Sequence, residues 1–184
     1  MAWVIFLILL LCNNKIVIII MTHFSHPEPR KYVNKLEKWL GPPSVEGKEI
    51  VEWERSVTQE LKNTPYLRIT VRDEFIPHSF PAKHHDFVYS VAKIQVTSDQ
   101  ACQLLKVSGS ILIDLLKNEV GARCGGLTAN DVTLSFVLDV VQGKAKATKE
   151  EYKRRIINKI VTRKQFDSYK KVEKGEYSND CILF

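Results

Sequence analysis

Apolar residues recur along this chain at two spacings, and each spacing predicts an element. Val33, Leu36 and Leu40 fall three and four apart, on one helical face, so a helix is expected over 30–40. Pro29 suits its first turn, and Gly41-Pro42-Pro43 ends it. Ile50, Trp53, Val57 and Leu61 keep the helical spacing and predict a second helix over 46–63, closed by Thr64-Pro65. From 66 to 72 the period drops to two. Leu67, Ile69 and Val71 alternate with Arg68, Thr70 and Arg72, the mark of a half-buried strand. Residues 87–97, rich in Val, Ile, Phe and Tyr, predict a second strand, antiparallel to the first across a long loop that includes 77–81.

Ser98-Asp99 is a helix start. Ala101, Leu104, Leu105, Ser108, Ile111, Leu112, Leu115 and Leu116 then form a broad stripe, read as a central buried helix. The glycine-rich stretch 121–126 is read as its stop and turn. Val132, Leu134, Val137, Leu138 and Val141 predict a further helix, capped around 128–131 and ended by Gly143. Thr148-x-x-Glu151 matches a capping box and opens a long basic helix to about residue 172. The sum is an α+β fold: about five helices packed with a small antiparallel sheet of two or more strands, and a long basic C-terminal helix.

Residues 2–12 and 16–21 are apolar, divided by Asn13-Asn14-Lys15. A cleaved signal peptide would show a basic start and a small-residue cleavage site, and neither is present. A membrane-spanning helix would carry a central Lys, disfavoured by roughly 2.5–3.5 kcal/mol. The favoured reading makes 1–21 a leader upstream of a start at Met21, ahead of a signal-anchor. A single α+β domain is expected over 22–172 and a flexible tail over 173–184. Arg30, Lys31, Lys35 and Lys38 follow the apolar stretch and place the body on the cytosolic side.

Charge is divided unevenly. Residues 144–184 hold 12 Lys/Arg against 6 Asp/Glu, whereas 1–143 hold 15 of each sign, so the whole +6 lies in the last 41 residues. That balance points to an acidic partner such as phospholipid head groups or nucleic acid. The 45% apolar content is that of a folded chain. The cysteines, Cys12, Cys102, Cys124 and Cys181, form no CxxC pair, and their scatter is expected of reduced cytosolic thiols.

The chain closes on Cys181-Ile182-Leu183-Phe184. This terminus resembles a CaaX prenylation box, and a final Phe goes with geranylgeranyl in that pattern. The resemblance covers four residues and implies a lipid on Cys181. A single lipid chain binds marginally, and a basic patch supplies the second signal. Lys153, Arg154, Arg155, Lys159, Arg163, Lys164, Lys170, Lys171 and Lys174 are the expected surface for acidic membrane or nucleic acid.

His78, His84 and His85, with Asp86, read as a solvated Pro-rich loop, because the adjacent His84 and His85 point apart and no ligand spacing is evident. No metal ligand, catalytic residue or cofactor is assigned. The leading expectation is a non-enzymatic, membrane-peripheral scaffold or adaptor, with the general profile of small membrane-lining proteins such as viral matrix proteins. It would lie on the cytosolic face of an anionic membrane, with self-association or a protein partner. The alternatives are a nucleic-acid-binding accessory protein using the same helix, and an enzyme of a family without a recognised motif.

Overall fold

Alternation, more than helical periodicity, organises the middle of the chain. The structure, a computed structural model, describes residues 9–12, 15–18 and 24–170, with side chains within 24–159. In chain order the elements are β1 (Leu9–Cys12), β2 (Lys15–Ile18), α1 (Pro27–Leu40), β3 (Val45–Glu46) and β4 (Ile50–Glu54). A short 3-10 turn (Gln59–Asn63) precedes β5 (Tyr66–His78) and β6 (His84–Lys93). Then come α2 (Ser98–Leu105), β7 (Ile111–Asp114), β8 (Glu119–Cys124), α3 (Leu127–Val141) and α4 (Lys149–Lys170).

Six strands form one antiparallel sheet in the order β3-β4-β5-β6-β8-β7. Its two faces differ in chemistry. Paired positions Trp53↔Ile69, Val51↔Val71, Val71↔Val88 and Val120↔Ala92 line one face, and all are buried. Helices α1 and α3 cover that face, against β5 and against β6 with β8, and α4 lies on α3. The other face carries polar pairs: Arg68 donates to Glu119, Thr70 to Glu52, and Tyr89 to Glu74. Burial accordingly alternates along β4 and along most of β6.

The expected fold of about five helices around a small sheet is overturned. Among the described residues there are four α-helices and a six-stranded sheet. Residues 46–63 hold no α-helix. Val51 and Trp53 are buried at period two while Val57 is exposed, because β4 finds its hydrogen-bond partners on β5. The central helix is also shorter than expected. It stops at Leu105, the chain turns, and residues 111–114 form an edge strand, leaving Leu116 96% exposed. An apolar run of that length suits helix or strand equally, and pairing with β8 decides it.

The stretch read as a glycine turn is largely strand β8. Gly121 faces Leu112 across the ladder, and a Cβ there would come within 3.2 Å of the Leu112 Cβ. The glycine therefore lets the edge strand approach. Near the N-terminus, Leu9–Cys12 pairs antiparallel with Lys15–Ile18. No helix among the described residues is long and apolar enough to cross a membrane.

Candidate metal centre

Strand register brings four chemistry-bearing side chains together at one end of the sheet. His78 and His84 are direct partners where the β5–β6 ladder closes. Period two puts His84, Asp86 and Val88 on one face, and Cys124 of β8 pairs with Val88 on that same face. A bulge sets His78 in place: residues 72–75 of β5 lie opposite the single residue Phe87, between the pairs Val71↔Val88 and Ile76↔Asp86. Without that irregularity the upper half of β5 would present different side chains to the core.

The ligand-type atoms of His78, His84, Asp86 and Cys124 all lie within 4.8 Å of one another. His84 Nε2 is 3.1 Å from Asp86 Oδ1, and His78 Nδ1 is 3.4 Å from the same oxygen. Tetrahedral zinc with ordinary Zn–N and Zn–O lengths separates its ligand atoms by about 3.3–3.5 Å. The observed spacings are close to that. Cys124 Sγ lies 3.4 Å from His84 Nε2, but Cys124 is disulfide-bonded, so in this state its sulfur neighbours the cluster without being a thiolate.

The tautomer of His84 sharpens the chemistry. Its Nδ1–H donates to the Ala82 carbonyl at 2.7 Å. In the neutral ring this leaves Nε2 as a lone pair aimed at a carboxylate oxygen. Two acceptors at that distance repel unless a proton or a cation lies between them. Asp86 Oδ1 and His78 Nδ1 are both buried and make no aligned hydrogen bond. The His84 side chain is fully buried, that of Asp86 nearly so, and that of His78 is 29% exposed, so the cluster opens outward on the His78 side.

Electrostatics favour the charged carboxylate. Burial raises the Asp86 pKa, but the adjacent His78 and His84 rings more than offset it and hold the group below the usual carboxylate range. Arg123 Nε lies 3.4 Å from Asp86 Oδ2, the other oxygen of the carboxylate. Near the cluster, Tyr152 of α4 shares a hydrogen bond of 3.0 Å with Thr133 of α3. Burial pushes the Tyr152 phenol up, and the Asp86 charge adds to this, so it stays a neutral hydroxyl.

The basic residues expected from sequence to form a site lie on α4 or outside the residues whose side chains are described. On α4, Lys153, Arg154 and Lys159 are exposed. Arg154 is held by Glu151, and Arg155 by Glu151 and Asp139 at 2.8 and 2.6 Å, so neither is an open cation. The side chains of Arg163, Lys164 and Lys170 lie outside the described residues, as do Lys171, Lys174 and the lipidation candidate Cys181. His78, His84 and Asp86 are strand residues, not the expected solvated loop. The signal for them was present in His84-His85-Asp86: at period two, His84 and Asp86 share a face that His85 does not. Comparison with family models, with curated proteins and with solved structures gave no match.

Proposed function

We propose that this protein binds a divalent transition-metal ion through His78, His84 and Asp86, and that the ion fastens β5 to β6 at the closed end of their hairpin. The observation that carries this reading is the buried Asp86 Oδ1, without an aligned hydrogen bond, facing His84 Nε2 at 3.1 Å and His78 Nδ1 at 3.4 Å. A buried acceptor without a partner costs free energy that a cation returns. Two imidazoles and one carboxylate suit zinc, and also iron or cobalt in their divalent states. The Nδ1–H bond from His84 to Ala82 orients the ring as an outer-shell partner does in metal sites. Calorimetric titration of chelator-stripped protein with zinc tests the reading. One ion per chain, lost in His84→Ala and in Asp86→Ala, is expected. Unchanged binding in both variants would overturn it.

A second reading concerns α4. Lys153 and Ile157, one turn apart on this helix, are both exposed, which supports contact with an acidic membrane surface in a peripheral scaffold. Lys153 Nζ also lies 5.4 Å from the Phe80 ring centre, which joins α4 to the loop between the two histidines. Cosedimentation with anionic vesicles should fall as salt rises through the physiological range. Salt-independent binding, or none, removes this reading.

A further inference from the structure

We propose that Cys124 makes the metal centre redox-responsive. In its disulfide the sulfur leaves the ion three protein ligands, and opening the disulfide supplies a thiolate as the fourth. The inference rests on the metal reading above. It also rests on the position of one atom: Cys124 Sγ is buried with the cluster, 3.4 Å from His84 Nε2 and within 4.8 Å of every other ligand-type atom. Thiolate joined to two imidazoles and a carboxylate completes a tetrahedral zinc shell, with a Zn–S length of about 2.3 Å. The register pair Cys124↔Val88 holds the residue on the correct face whether or not its sulfur is bonded elsewhere.

The chemistry balances with a dithiol as reductant. Its thiolate attacks the half-cystine opposite Cys124, and the S–S electron pair leaves on the Cys124 sulfur. The second thiol of the reductant then displaces that cysteine from the mixed disulfide. The dithiol is oxidised to a disulfide, and the displaced cysteine takes up a proton. Cys124 remains a thiolate because the metal ion stabilises it, and one proton is released overall. A bound ion would gain the Cys124 sulfur in place of a solvent ligand. Oxidation reverses each step. The disulfide form therefore keeps an exchangeable coordination position, and the reduced form is closed.

The test is titration of the full chain with cobalt(II), oxidised and after reduction by a phosphine. Cys102 is an exposed free thiol that would mimic the signal, so Cys102→Ser is the background throughout. Tetrahedral cobalt d–d absorption is expected in both states. A sulfur-to-cobalt charge-transfer band is expected only after reduction, with affinity rising by about tenfold or more. Cys124→Ser should keep the d–d bands and lose the response to reductant. Cobalt binding without the sulfur band in the reduced chain overturns the inference while leaving the metal centre standing. No tetrahedral absorption in either state overturns both. Reduction also frees the cysteine opposite Cys124, so the band is assigned to Cys124 only where a Cys124 variant lacks it after reduction; Cys124→Ala serves if Cys124→Ser fails to fold.

Discussion

His78 lies directly across the β5–β6 ladder from His84, and this pair draws the two imidazoles onto one carboxylate, Asp86. When the His84 ring is neutral, the arrangement sets acceptor against acceptor in a buried place. Asp86→Asn removes the clash by supplying an N–H to His84 Nε2. The variant also gives up the carboxylate charge that Arg123 and the imidazoles stabilise, so in chelator the two proteins should differ little in stability. In excess zinc wild type should be clearly the more stable. A ligand at 100 times its Kd stabilises by about 2.7 kcal/mol, or on the order of 5–10 °C in Tm for a chain of this size. Thermal melts of both proteins with and without zinc check this, and equal zinc shifts would count against the site.

Asp73 ties the start of α1 to β5. Ser25 donates its backbone N–H and hydroxyl to Asp73 Oδ2 at 2.5 and 2.6 Å, and the His26 N–H donates to Oδ1 at 3.0 Å. Burial raises the Asp73 pKa, but these bonds outweigh it and bring the group to about 2. An unfolded Asp titrates near about 3.9. The folded pKa is the depressed one, so the contribution is complete above about pH 4 and is lost as pH falls through about 2. Asp73→Asn should cost about 1–3 kcal/mol at pH 7. The gap should narrow steadily from about pH 4 to about pH 2 in urea unfolding, and a gap constant with pH would refute the assignment.

Leu104 and Leu116 distinguish the helix expected from spacing from the strand observed. Leu104 is fully buried in α2, and Leu116 is almost wholly exposed after β7. Leu104→Ala should cost about 2–5 kcal/mol. Leu116→Ala should stay within about 0.5 kcal/mol of wild type. A buried central helix running through 116 would make both costly, so denaturant midpoints of the two variants decide between the arrangements.

Tyr32 of α1 caps a helix far along the chain: its hydroxyl accepts the Leu127 N–H at the start of α3, at 2.8 Å. The N-cap residue of α3 is Gly126, which has no side chain to do this. Tyr32→Phe keeps the ring against Phe87 and removes the hydroxyl. A loss of about 1 kcal/mol in unfolding free energy is expected. No measurable loss would mean that water caps α3 equally well.

Helical spacing at Val33, Leu36 and Leu40 corresponds to α1, and alternation at Ile69 and Val71 to β5. The Thr148 hydroxyl accepts the Glu151 N–H at the start of α4, while the Glu151 carboxylate goes to Arg154 and Arg155. These features are legible because their causes lie within a few residues. The strand at Ile50–Glu54 was legible only in part: Val51 and Trp53 alternate with Glu52 and Glu54, yet Ile50 and Trp53 also satisfy a helical period.

The cluster of His78, His84, Asp86 and Cys124 and the edge strand β7 depend on something no local spacing contains. His78 meets His84 through a hairpin register, and Cys124 joins them because β8 inserts between β6 and β7. The same insertion gives β7 its partner, pairing Ile111 with Ala122 and Ile113 with Val120. Periodicity in a chain says which side chains share a face. Hydrogen bonds between strands distant in sequence say which faces meet, and a slip of one residue in such a ladder would send His84 and Asp86 to the solvated side.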